Sequence, residues 1–470
     1  MAGIKPLELE PIQEHIYDTL IRDAVGRNKN LWQFACFCSA QEGRCSIALD
    51  AGWGMGKTFF LKQLEMLFNH SNLKKEDQDK IEKAFASFEN SDKNLKVLKP
   101  HVCVYYDAWL NDNAKDSMRS ILYELLKQTK KRFVKNGIKD WAKTFCGVVD
   151  SFTGKDTSSL VDLIENTNHV REIEEQKSFH SSFNSFLRKL VPKQNERLLV
   201  LIDELDRCNP TYAVQLLERI KHYLSNEKTT FVFAINEDQL LNTLKVFYGE
   251  EFDAYQYLDR FFDYRLSLPK PDMDKFNKHY GFNQSDERTK FYSLVCDTFI
   301  QKYALSLRES TKYRQWVKIV CGSFINQCKE YEDNSWKVVM FFIIPIALGL
   351  KIKNRIQYSS FMNGKQTDSN SLHIVLNGCR PLERFFYFPA DQNIYNTSTT
   401  FTWRQAHEAL GRVDAIYKAL FVTPIPEKGT IDLYGFSFTR KMVEIIHQSP
   451  SLMDDFITYD IDTETPIKDK

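Results

Sequence analysis

A short apolar run, Cys45 to Leu49, leads straight into Asp50-Ala51-Gly52-Trp53-Gly54-Met55-Gly56-Lys57-Thr58, after which Phe60, Leu61, Leu64, Leu67 and Phe68 recur at helical spacing. Few folds accept that order. A buried strand, a glycine-rich turn and an amphipathic helix in direct succession form a phosphate-binding loop in the context it requires. Gly52, Gly54 and Gly56 let the backbone turn its amide hydrogens around a phosphate, and the helix opening near Lys57 points its positive end at the same oxygens. Trp53 and Met55 complete the loop. Lys57 is expected to contact the outer phosphates, and the Thr58 hydroxyl to ligate Mg2+. Ala51 stands where the first glycine of GxxxxGK[ST] is expected, and its methyl group is expected to strain the turn if that position needs a positive φ.

Further apolar runs at His101 to Tyr105, Leu198 to Ile202, Phe231 to Ile235 and, less clearly, Tyr264 to Leu268 read as strands. Helix-like stretches follow all but the last. This alternation predicts an α/β fold, a parallel sheet with helices on both faces. Residues 1–42 read as a helical lead-in. The nucleotide-binding core is expected at 43–116 and 196–270, interrupted by a polar helical insertion at 117–195 and followed by a mostly helical C-terminal region at 271–470. From Pro269 onward strand signals become sparse.

The run Leu198-Leu199-Val200-Leu201-Ile202 ends in Asp203-Glu204-Leu205-Asp206-Arg207-Cys208, which has the form of a Walker B strand. Asp203 is expected to hold the magnesium shell. Glu204 is the carboxylate placed to accept a proton from an attacking water. Asn236, at the end of the Phe231 run, suits a γ-phosphate sensor because its amide both donates and accepts; it is equally suited to cap the helix that follows. Arg260 follows that helix. An arginine there could serve as a finger for a neighbouring subunit, with a surface ion pair as the ordinary alternative.

Composition narrows the class. Lys plus Arg number 63 against 62 Asp plus Glu, a net charge of +1, so no whole-molecule field draws the chain to DNA or an anionic membrane. The run Lys127, Lys130, Lys131, Arg132, Lys135 and Lys139 is the local exception. It reads as a solvated helix face, with nucleic-acid contact as the alternative. An apolar content of 43% excludes a mainly disordered chain, and an aromatic content of 13% points to large helical packing surfaces. The ten cysteines form no CxxC pair, so ligand-spaced zinc sites are not expected, and free thiols in a reducing compartment are. The first residues lack the basic start and apolar core of a secretory signal, so a cytoplasmic location is expected. Val338 to Leu350, interrupted by Pro345, falls short of a bilayer span of roughly 20 residues and reads as a buried helix, with a re-entrant segment as the alternative.

Four blocks together resemble the KAP family of P-loop NTPases, within the STAND and AAA-like branch. They are Gly52 to Thr58 with its tryptophan; Tyr105-Tyr106-Asp107-Ala108-Trp109, similar to a Phe-Asn-Ala-Trp signature; Ile202-Asp203-Glu204-Leu205-Asp206-Arg207-Cys208, near to Ile-Asp-Asp-Leu-Asp-Arg-Cys; and Gly378-Cys379-Arg380-Pro381-Leu382-Glu383-Arg384-Phe385, similar to Asn-Pro-Arg-x-x-Lys-Arg-Phe. The resemblance implies that the Asn236 strand lies between the two Walker strands, and that the region beyond Pro269 acts as a lid. Arg380 and Arg384, one helical turn apart, are expected to reach the nucleotide. Members often carry paired membrane helices between the Walker motifs; no stretch of that length occurs here, which implies a soluble member.

These residues imply an Mg-dependent ATPase with ATP and Mg2+ as cofactors, acting as a homo-oligomer or on a protein effector partner. The resemblance adds a setting in bacterial antiviral defence. A nucleotide-gated scaffold with little turnover and a P-loop kinase are the other classes that share the phosphate site; hydrolysis without an added acceptor argues against the kinase.

Overall fold

The computed structural model describes residues 10–86, 88, 98, 101–113, 117–135, 181, 183–191, 196–223, 226–282, 287–327, 333–364, 369–389, 401–423 and 429–448. Most of the 117–195 insertion, including Lys139, and the polar C-terminal tail lie outside these residues. The chain divides into two compact units, Glu10–Asp272 and one that begins at Met273.

In the first unit α1 (Gln13–Ile21) and α2 (Asn28–Ala40) precede β1 (Cys45–Asp50). Next come α3 (Lys57–Phe68), α4 (Lys75–Phe85), β2 (His101–Asp107) and α5 (Ser117–Lys135). Then follow β3 (Arg197–Asp203), α6 (Pro210–Tyr223), β4 (Thr229–Ile235), α7 (Glu237–Tyr248), α8 (Ala254–Asp259) and β5 (Tyr264–Ser267). The five strands form one sheet in the order β2-β3-β4-β1-β5, and each neighbouring pair is parallel. All five expected strands are present, each within a few residues of its apolar run. β4 lies between β1 and β3, as the family resemblance implied.

A parallel sheet covered on both faces needs strands that are apolar at every position, and β3 and β4 are buried throughout. Alternate side chains serve opposite layers. Leu198, Val200, Ile202, Phe231 and Phe233 share one core with Ile121, Leu125, Leu217 and Leu240 from α5, α6 and α7. Leu199, Leu201, Val232 and Ala234 share the other with Trp32, Phe34, Leu61 and Leu64 from α2 and α3. The parallel register aligns Asp107 with Asp203 and Asp50 with Ile235, so the polar ends of β1, β2, β3 and β4 meet along one edge. Ligands of open α/β sheets bind at this carboxyl edge.

The second unit is mainly helical. Its core holds Phe341, Phe342, Phe385 and Phe386, and the rings of Phe291 and Phe385, and of Phe342 and Phe386, pack with centroids 4.8 Å apart. This accounts for much of the aromatic excess, although Phe388 is exposed. The buried helix read at Val338 to Leu350 is present, but within a longer helical stretch than expected: Asn334–Lys353, of 20 residues, is long and apolar enough to cross a membrane, and 89% of its most apolar window is buried inside the fold. Pro345 does not break it, because the backbone widens to a π-turn over Val339–Ile343, where the Ile344 N–H bonds Val339 O, accommodating the proline ring that would clash in a regular turn. β6 (Thr430–Leu433) and β7 (Phe436–Thr439) form an antiparallel hairpin in the region expected to be mostly helical, where no strand was assigned. Tyr434 at φ 54° and Gly435 at φ 85° supply its tight turn, and buried Phe436 and Phe438 flank exposed Ser437.

Gly349 lies on the ring of Phe299, and a Cβ there would come within 2.3 Å of Phe299 Cε1. Gly349→Val is expected to destabilise this unit by about 1–3 kcal/mol, lowering the urea midpoint of the full chain. An unchanged midpoint would show that Gly349 and Phe299 do not pack this closely.

Candidate active site

The site forms where β1 and β3 end. Beyond Asp50 the chain turns through residues 51–56, anchored by the Ala51 N–H, which donates to Ile235 O at 3.0 Å. Gly54 at φ 75° and Gly56 at φ 86° adopt the left-handed conformation that favours glycine. Ala51 does not. Its methyl packs partly buried against the core beneath α3, so the strain expected from the missing first glycine does not arise. Gly56 caps α3 without a side-chain hydrogen bond, leaving the first amide hydrogens of the helix to a ligand.

Lys57 is 6% exposed, and its Nζ donates to Ala51 O at 2.6 Å. Burial lowers its pKa, opposed by the charges of Asp206, Asp203, Glu204 and Asp50. Four carboxylates thus converge on one ammonium. Asp203, fully buried, accepts hydrogen bonds from Thr58, from Tyr105 Oη at 3.0 Å and from the Glu204 N–H at 3.0 Å. Burial nevertheless raises its pKa.

Glu204 follows with φ 60° and ψ 24°, a left-handed conformation that costs a non-glycine residue about 1–3 kcal/mol. Such strain persists where surrounding structure over-determines it. Here the carboxylate is held by Arg207 Nε at 2.7 Å. Burial first, and Asp203 second, push the Glu204 pKa up to about 7, against the lowering effect of Arg207. The Arg207 guanidinium in turn lies 5.7 Å from the Trp53 ring and 5.5 Å from the Trp109 ring. Trp53 Nε1 donates to Asp206 Oδ2 at 2.7 Å. The two tryptophans are about half exposed and bracket the acidic turn after β3.

Asn236 directly follows β4, and its Oδ1 accepts from the Gln239 N–H at 3.5 Å, capping α7. Arg260 is not brought to this edge. It follows α8, shortly before β5, where Asp263 N bonds Ser46 O, so it lies near the amino edge of the sheet. Its side chain is exposed and makes no ion pair among the described residues, unlike the pair weighed as its alternative role. Arg380 and Arg384 belong to the second unit; Arg380 is exposed, whereas Arg384 is 7% exposed and sits among that unit's buried residues. Of the lysine-rich run, the described side chain of Lys127 is exposed and pairs with Glu124 at 3.1 Å. Sequence reasoning gave no separate role to Tyr105, Asp206, Arg207 or Arg27. For the first three the signal was present, since each lies in a quoted block.

Residues 28–315 match the model of the KAP family P-loop domain, well over half of the chain. The chain belongs to the KAP family. Its KAP domain is a nucleotide-binding P-loop NTPase domain. No curated protein matches the chain.

Ala51→Gly is expected to leave nucleotide affinity of this KAP protein within about twofold, since the native backbone already accommodates alanine. Gly56→Ala is expected to weaken it at least tenfold, because the new Cβ meets a left-handed backbone. Titration calorimetry with ADP checks both. Equal effects of the two changes would contradict the loop conformation.

Proposed function

We propose that the protein is a Mg-dependent ATP hydrolase in which ATP binding and hydrolysis change conformation or assembly. The observation that carries this reading is the contact of Thr58 with Asp203, which joins the start of α3 to the end of β3 and sets Glu204 beside them. A hydroxyl and a carboxylate are the hard oxygen donors that magnesium takes, and a buried carboxylate disfavoured as an anion is one that a divalent cation stabilises. These residues fit the ion. Thr58 and Asp203 would hold Mg2+, which would supply positive charge against the phosphate.

Lys57 leaves its carbonyl contacts for the outer phosphate oxygens, and the amides of Gly52 to Thr58 wrap the same group. Glu204 accepts the proton of the attacking water. Asn236 helps to orient that water while its carbonyl side caps α7. Arg260 acts on the site of another copy in a homo-oligomer. The wider setting, regulation of a separately encoded protein effector in bacterial antiviral defence within the cytoplasm, rests on family analogy.

A second reading has one observation in its favour. Arg207 holds the Glu204 carboxylate in an ion pair. A chain that keeps its base engaged would bind ATP as a gated scaffold with little turnover.

Lys57→Ala is expected to abolish nucleotide binding, whereas Glu204→Gln retains ATP and lowers hydrolysis by about 10²–10⁴-fold. Phosphate release and ATP titration on the same preparations separate the two. Undiminished hydrolysis in Glu204→Gln would remove Glu204 as the base. Arg207→Ala distinguishes the readings: the hydrolase expects no gain in turnover, and the scaffold expects a rise.

A further inference from the structure

Arg27 lies immediately before α2, one residue ahead of the region that matches the family model. Its side chain is 3% exposed. Nη1 donates to Met55 O at 2.7 Å, while Nε and Nη2 are buried without a partner. Burial lowers its pKa to about 10, with no carboxylate acting on it. Other arginines of this unit are better satisfied: Arg207 pairs with Glu204, Arg265 with Glu237, and Arg197 spends its donors on Glu42 O, Gly43 O and Thr229 O. Arg27 alone among these four is a buried cation held by a single neutral acceptor.

A buried charge without a counter-charge is costly, and a guanidinium is a rigid fork suited to paired phosphate oxygens. The carbonyl it holds belongs to the phosphate loop, between Gly54 and Gly56, whose left-handed backbones shape the turn. The ligand of that loop is a polyanion. Lys57 shows the same preparation, a buried cation resting on the carbonyls of the loop it will serve.

We propose that Arg27 is a nucleotide-binding residue, its unpartnered Nε and Nη2 face taking a phosphate oxygen of the bound nucleotide. The lead-in before α2 then forms part of the nucleotide site. This rests on the reading of the loop as a nucleotide site, and the test separates the two.

Arg27→Gln keeps a donor for Met55 O and removes the charge. Titration calorimetry with ADP is expected to show affinity about ten- to hundredfold weaker than wild type, the range for a hydrogen bond to a charged group. Arg27→Lys, which keeps the charge without the fork, is expected to lose less. The nucleotide-free melting temperature of Arg27→Gln is expected to stay level or rise, because an unpaired buried charge has gone. ADP affinity within twofold of wild type would overturn the proposal. So would a fall in nucleotide-free melting temperature that accounts for the affinity lost, which would make Arg27 a strut for Met55. If Arg27→Gln does not fold, Arg27→Met is read against the same two outcomes. Failure of the wild-type chain itself to bind ADP would instead overturn the nucleotide-site reading, and this inference with it.

Discussion

The buried carboxylate of Asp203 is the constraint around which the nucleotide site is arranged. It ends one of the two strands that are buried throughout, and it is held by groups from three segments: Thr58 at the start of α3, Tyr105 on β2 and the backbone of Glu204. A carboxylate inside protein is tolerated only when its lone pairs are satisfied. Satisfying them fixes α3 against β3 and β2 against β3, and so sets the loop that lies between. The raised pKa of Asp203 shows that these hydrogen bonds do not fully offset its burial. Glu204 lies beside it under the same pressure, in a left-handed backbone and gripped by Arg207.

Charges of both signs in this region are held short of full compensation. Lys57 rests on loop carbonyls amid four acids, and Arg27 rests on one carbonyl with no acid. An arrangement of this kind costs stability in isolation. On the proposed function it is preorganised for a ligand that brings negative charge to the cations. The cation and ring contacts of Arg207 with Trp53 and Trp109 extend the same turn to the surface, so a displacement of Arg207 would be felt at two half-exposed tryptophans.

Much of this was legible in the amino-acid order, for definable reasons. β1, β3 and β4 are continuous apolar runs because both faces of a parallel sheet are covered, and the loop and the acidic strand end carry residue types that little else explains. What the sequence could not show was pairing across distance. Arg207 reads as one letter of a motif, but only folding places its Nε on Glu204. Arg27 stands in no quoted block, and only folding buries it against Met55 O. Ala51 looks like a defect until its backbone is seen to need no positive φ. The hairpin at 430–439 was missed because its strands are four residues each, too short for alternation to outweigh the helical pattern around them, although Tyr434-Gly435 marked the turn.

The central claim is that the loop and the acids after β3 act together to hydrolyse ATP with water as the acceptor. Single-turnover release of phosphate from ATP in isotopically labelled water tests it most directly. The account predicts that each phosphate released carries one oxygen from water, with ADP formed in equal amount. Stable ATP in the presence of Mg2+, or transfer of the phosphoryl group to an acceptor other than water, would contradict it.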